Sequence, residues 1–109
     1  MSTRERIRQL RGELRLTQEK FSRTIKISTS YLAGIENGAR EANPRIVRLI
    51  ANEFNVNESW LQSGEGEIFK DDTDAPLAAL IGHFRFLSPQ AQECALKQIQ
   101  ALCDLEHPS

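Results

Sequence analysis

The sequence predicts an all-α protein, in which five short helices are followed by a helical hairpin. Three observations lead there. Apolar residues recur at three- and four-residue intervals along nearly all of the 109-residue chain, and no stretch alternates apolar and polar as a half-buried strand would. Helix-capping residues stand just ahead of most of these runs, and glycines, prolines or short polar pieces separate them.

The first helix is expected from Ser2 or Thr3 to about Leu14, with Ser2 and Glu5 at capping-box spacing. Ile7, Leu10 and Leu14 form its inward stripe. Beside it Arg4, Arg8, Arg11 and Arg15 repeat at intervals of four, three and four, which predicts a basic flank that either lies in solvent or faces phosphates. Thr17 caps a second helix, from Gln18 to about Ile25, with Phe21 and Ile25 inward. Ser28 caps a third, which runs to Asn37 with Leu32 and Ile35 inward and ends at Gly38, a residue suited to a left-handed C-cap. Only Lys26, Ile27 and Ser28 join these two helices. So short a connection forces a steep crossing, the geometry of a helix-turn-helix.

Asn43 and Pro44 start a fourth helix carrying Ile46, Val47, Ile50, Ala51 and Phe54. A short fifth, "NESWLQ", stops at Ser63-Gly64, and its Trp60 completes the expected core. Residues 1–69 thus make one domain, and "KDDTDAP", residues 70–76, reads as an acidic, turn-forming linker. The hairpin follows over 77–109. Leu77, Leu80, Ile81, Phe84 and Leu87 line its first helix; its second starts at Ser88-Pro89 and carries Ala91, Cys94, Ala95, Leu96, Ile99, Leu102 and Cys103. About 30 residues cannot bury two such stripes unaided. They need either the first domain or a second copy of the hairpin. Cys94 and Cys103 lie nine residues apart on one helix, roughly 13 Å along its axis, so they cannot bridge each other there. Both are expected to be buried or half-buried small apolar residues in a reducing compartment.

The formal net charge is only −1, but it is unevenly divided. Residues 1–45 hold ten Arg or Lys against five Asp or Glu, and residues 46–109 hold four against ten. A basic front joined to an acidic back is the asymmetry of a chain whose first part meets a polyanion. No apolar run approaches the roughly 20 residues that span a bilayer, and "MSTRERIRQLR" lacks a signal-peptide core, so a cytoplasmic location is expected. Nothing points to an enzyme. His83 and His107 have no plausible carboxylate or cysteine companions, Glu65 and Glu67 read as surface charges, and neither a glycine-rich phosphate loop nor a metal-ligand spacing occurs. No cofactor, metal or small-molecule ligand is implied.

From about Arg6 to Phe69, "LTQEKFS", "ISTSYLAGIENG", "NPRIVRLIANEFNV" and "WLQSGEGEIF" follow one another as in the Cro and repressor type helix-turn-helix family, also called the XRE family. The chain resembles that family, and its last two elements resemble the phage-type repressors within it. The resemblance implies a repressor-like five-helix domain that binds double-stranded DNA as a bacterial or phage-derived, nucleoid-associated transcriptional regulator. It implies that Gln18 and the start of the second helix face a phosphate, and that Asn37, Arg40 and Arg45 clamp the neighbouring backbone. The third helix would enter the major groove, with Ser28, Thr29, Ser30 and Tyr31 towards base edges and Gly34 where many relatives carry a long reader. Arg11 and Glu36 stand where the family forms a structural ion pair.

Two departures from the pattern matter. Lys26 occupies a turn position where the family usually has Gly, at an expected cost of about 1 kcal/mol. No Arg, Gln or Asn stands at 29, 30 or 34 to make a bidentate base contact, each of which supplies roughly 1–3 kcal/mol of discrimination. Specificity then rests on hydroxyls, thymine methyls, Tyr31 and DNA shape, or is poor. A DNA-binding repressor, homodimeric through 77–109, is the leading reading, because the family commonly reads two half-sites roughly 34 Å apart. The alternative is a protein-interaction module, of antitoxin or antirepressor-partner type, that keeps the fold with weak or no sequence-specific DNA binding.

Overall fold

The computed structural model describes residues 1–70 and 73–107; residues 71–72 of the expected linker and 108–109 at the end of the expected hairpin lie outside the described residues. Seven helices follow in order: α1 (Thr3–Glu13), α2 (Gln18–Thr24), α3 (Thr29–Glu36), α4 (Pro44–Phe54), α5 (Glu58–Ser63), α6 (Ala75–Phe86) and α7 (Pro89–Glu106). The protein is all-α, and the sole extended pairing among the described residues is an isolated antiparallel bridge between Val56 and Phe69.

The caps follow the sequence closely. Thr17 accepts a hydrogen bond from the Lys20 N–H, Ser28 from Tyr31, Asn43 from Ile46 and Ser88 from Ala91. Ser2 differs: its hydroxyl makes no cap bond and instead donates to the Glu5 carboxylate at 3.0 Å. A charged oxygen is the stronger acceptor. That hydroxyl, with the Ser2 backbone N–H, holds the Glu5 carboxyl below its ordinary value.

Ile7, Leu10, Phe21, Leu32, Ile35, Ile50, Phe54 and Leu61 are fully buried and join α1 to α5 in one core, with Leu14, Ile25 and Trp60 nearly so. Two supports were not anticipated. Arg6 is buried, and its guanidinium donates to the carbonyls of Leu61 at 2.8 Å, Gln62 at 2.6 Å and Met1 at 2.6 Å. It thereby caps the last turn of α5, where a cation suits the helix dipole. The segment after Gly66 is pinned back by Asn57, whose N–H donates to the Ile68 carbonyl at 2.8 Å and whose amide donates to those of Glu67 and Phe69.

The α2–α3 turn is tight because Lys26 takes a left-handed conformation, with φ 61. Lys26→Gly is therefore expected to stabilise the protein by up to about 1 kcal/mol, since relief of the side-chain clash outweighs the added freedom of the unfolded chain. Urea denaturation measures this. A loss of stability would show that the Lys26 side chain itself holds the turn.

The helix after the linker rests on the first domain. α6 lies against α4 and α2 through Ala78 and Gly82, and Arg85 donates to the Asn52 carbonyl. The fit at Gly82 is close: a Cβ there would fall 2.5 Å from Cε1 of Phe54. α7 turns back along α6, its start fixed by the Gln92 amide donating to the Phe84 carbonyl at 3.0 Å, and buries no residue of its own. Cys94 and Cys103 are accordingly exposed, against the expected burial, because none of the described residues covers the outer face of α7.

Candidate nucleic-acid interface

α3 carries the exposed polar face from which the interface is built. Thr29, Ser30 and Asn37 are exposed, Tyr31 and Ala33 are half-buried, and Leu32, Ile35 and Glu36 point into the core. Several of these polar groups already have partners. Ser28 is the N-cap, its hydroxyl also 3.4 Å from that of Ser30; the Thr29 hydroxyl lies 3.2 Å from Ser22; and the Asn37 side-chain oxygen accepts the Ala39 N–H at 2.9 Å. Each keeps a spare donor or acceptor for a ligand.

Two clefts flank this face. One is lined by Arg8, Arg11, Gln18, Ala33, Glu36 and Asn37, the other by Lys26, Ile27, Ser28, Tyr31, Arg45 and their neighbours. Gln18, Asn37 and Arg45 thus sit beside α3 in space. The Gln18 amide donates to Glu36 Oε1 at 3.2 Å, so it is held at the mouth of the first cleft.

The expected basic flank of α1 divides into several parts. Arg4 reaches the end of α3, where its guanidinium donates to the Glu36 carbonyl at 3.4 Å. Arg8 is exposed at the first cleft. Arg11 is the structural member: its Nε donates to Glu36 Oε2 and its Nη2 to Glu36 Oε1, both at 2.9 Å, and it also donates to the Leu16 carbonyl. The hydrogen bonds to Glu36 raise the pKa of Arg11, against the opposing effect of partial burial, so it stays charged. Arg15 leaves the flank because it lies beyond the helix at φ 56.

Gly34 and Arg40 meet in a way the sequence did not announce. Gly34 is buried, and what covers it is the stem of Arg40. Among the described residues no group of three or more His, Cys, Asp or Glu is placed to hold a metal ion, and no helix is long and apolar enough to cross a membrane.

A tight pair of helices, with the second exposed between two cation-edged clefts, defines a DNA-binding helix-turn-helix. The family model described as a helix-turn-helix domain matches residues 5–67, and the chain belongs to this XRE-type helix-turn-helix family of transcriptional regulators. A propionyl-CoA carboxylase regulator of Cereibacter sphaeroides is 34% identical over 73 residues, which cover 67% of this chain and 16% of that protein. The chain therefore spans a small part of that relative's length. No solved structure matches it.

Proposed function

We propose that the chain is a sequence-specific repressor that binds double-stranded DNA as a homodimer, with α3 of each copy in a major groove. The exposed polar face of α3 between its two cation-edged clefts is the observation that supports this most directly. In this reading Gln18, Asn37 and Arg45 hold phosphates, while Ser28, Thr29, Ser30 and Tyr31 meet base edges. The similar protein named as a regulator supports a role in gene control.

The α6–α7 surface supports pairing. Leu77, Leu80, Phe86, Leu87, Leu96, Ile99, Leu102 and Leu105 are between 37% and 75% exposed. Of these, Leu80, Leu96 and Ile99 line one apolar cleft between α6 and α7 together with Ile81 and Phe84, which supplies the centre of such a surface.

Binding to DNA from upstream of the protein's own gene should weaken steeply as salt rises, because phosphate contacts release counterions. A confirmed dimer that binds no DNA at low salt would overturn the proposal and favour the protein-interaction reading. A reporter promoter overlapping the bound site should be silenced; activation would refute repression. Leu96→Glu combined with Leu102→Glu should turn a dimer into a monomer in sedimentation while leaving the fold intact. An unchanged mass would show that copies do not pair through α7.

A further inference from the structure

α3 lacks a long side chain at its outward position one turn past Ser30, because residue 34 is Gly. Another residue fills that space. A Cβ built on Gly34 would meet Cγ and Cδ of Arg40 at 3.3 Å each. The loop after α3 folds Arg40 back onto it. Gly38, at φ 87, turns the chain; the Ala39 N–H donates to the Asn37 side chain; and the Arg40 N–H donates to the Gly34 carbonyl at 3.0 Å. The guanidinium then rests against Tyr31, its central carbon 5.1 Å from the ring centroid. It pairs with no carboxylate among the described residues.

We infer that Arg40, which the family resemblance sets against the DNA backbone, is instead the principal base-reading residue of this interface, laid across α3 through the gap at Gly34, and that the base it reads is guanine. The inference rests on the DNA-binding reading above and deepens it. A phosphate also accepts an arginine fork, but the stem of Arg40 crosses α3 itself at Gly34, the face that the proposed docking turns towards base edges rather than towards the backbone. Arg40 is held at two places, by packing on Gly34 and by an aromatic face, and an arginine so held presents its planar fork of donors in a set direction. Guanine offers O6 and N7 side by side in the major groove, and that pair of acceptors matches the fork. Holding the side chain before binding also lowers the entropy lost on contact. Residue 34 must then be small, since a larger side chain would push Arg40 off the helix.

In vitro selection of bound DNA with the full chain tests this, using the wild type, Arg40→Ala, Arg40→Gln and Gly34→Ala. The wild type should select guanine at one position of each half-site. Arg40→Ala should lose roughly 5- to 150-fold of that preference and leave the other positions unchanged. Arg40→Gln should move the preference at that position towards adenine, which Gln matches. Gly34→Ala keeps every charge and displaces only the Arg40 stem, so it should weaken the same guanine preference and no other.

An equal loss on all sequences, with the salt dependence shallower by about one phosphate contact, would assign Arg40 to the backbone and overturn the inference alone. A Gly34→Ala protein with an unchanged guanine preference would also overturn it. A wild type that selects no sequence at all would instead defeat the functional reading, and this inference with it. Circular dichroism on each variant checks the fold, which should be unaffected because Arg40 is an exposed loop residue and the near neighbours of a Cβ at Gly34 are atoms of the Arg40 stem.

Discussion

Phe54→Ala is expected to destabilise the protein by about 3–5 kcal/mol in urea denaturation, the range for deleting a buried aromatic ring. Phe54 is fully buried and stacks on Phe21 with ring centroids 5.0 Å apart and planes inclined by 17°. Its other side supports α6 at Gly82. One ring therefore joins the end of α4 to α2 and to α6. Its loss would open a cavity between three helices that are each held elsewhere, so the gap cannot easily close. Gly82→Ala probes the same contact from the other side. The added methyl would overlap the ring, which typically costs about 1–3 kcal/mol, offset by about 1 kcal/mol of improved helix propensity. Hydrogen exchange should show that smaller loss concentrated in α6. A Phe54→Ala cost below about 1 kcal/mol would refute the three-way role of the ring.

Arg11→Ala is expected to cost about 3 kcal/mol, at the lower end of the range for breaking a buried ion pair, because the Arg11 side chain is 21% exposed while that of Glu36 is 5% exposed. The loss comes less from the missing attraction than from what remains. The Glu36 carboxyl group would be left in the core without its cation, with the Gln18 amide as its one side-chain donor among the described residues. A double-mutant cycle with Glu36→Gln measures the coupling, and additive losses would show that the pair is not a unit. Because Glu36 gathers Arg11 from α1 and Gln18 from α2 while standing on α3, the same change should also weaken DNA binding more than its effect on stability explains.

Much of this fold was legible because its helices obey local rules. Thr17, Ser28, Asn43 and Ser88 cap where the sequence places caps, and Leu10, Phe21, Ile25, Leu32, Ile35 and Ile50 are buried as their spacing predicts. The Arg11–Glu36 contact was legible from resemblance, since nothing in either residue's own neighbourhood marks it. Arg6 was missed because an arginine on a short amphipathic helix reads as solvent-facing. Its position four residues before Leu10, on the edge of the apolar stripe, was the available signal. The covering of Gly34 by Arg40 was beyond reach for a different reason. It depends on the path of a loop turning at Gly38, and helical periodicity carries no information about that path. The exposure of Cys94 and Cys103 follows from what α7 packs against, which an amphipathic pattern does not identify.

The seat of α6 on Phe54 has a mechanical meaning. Were the segment after residue 70 a loose tether, two reading heads joined through their C-terminal helices could swing independently and accept operators of varied spacing. Here the ring that carries α6 also stacks on Phe21 of α2, so α6 and the helix-turn-helix are tied into one stiff arm. In a dimer of the proposed kind the arm would act as a ruler. Lengthening an operator by about five base pairs would turn the second half-site to the opposite side of the duplex, out of phase with the second head.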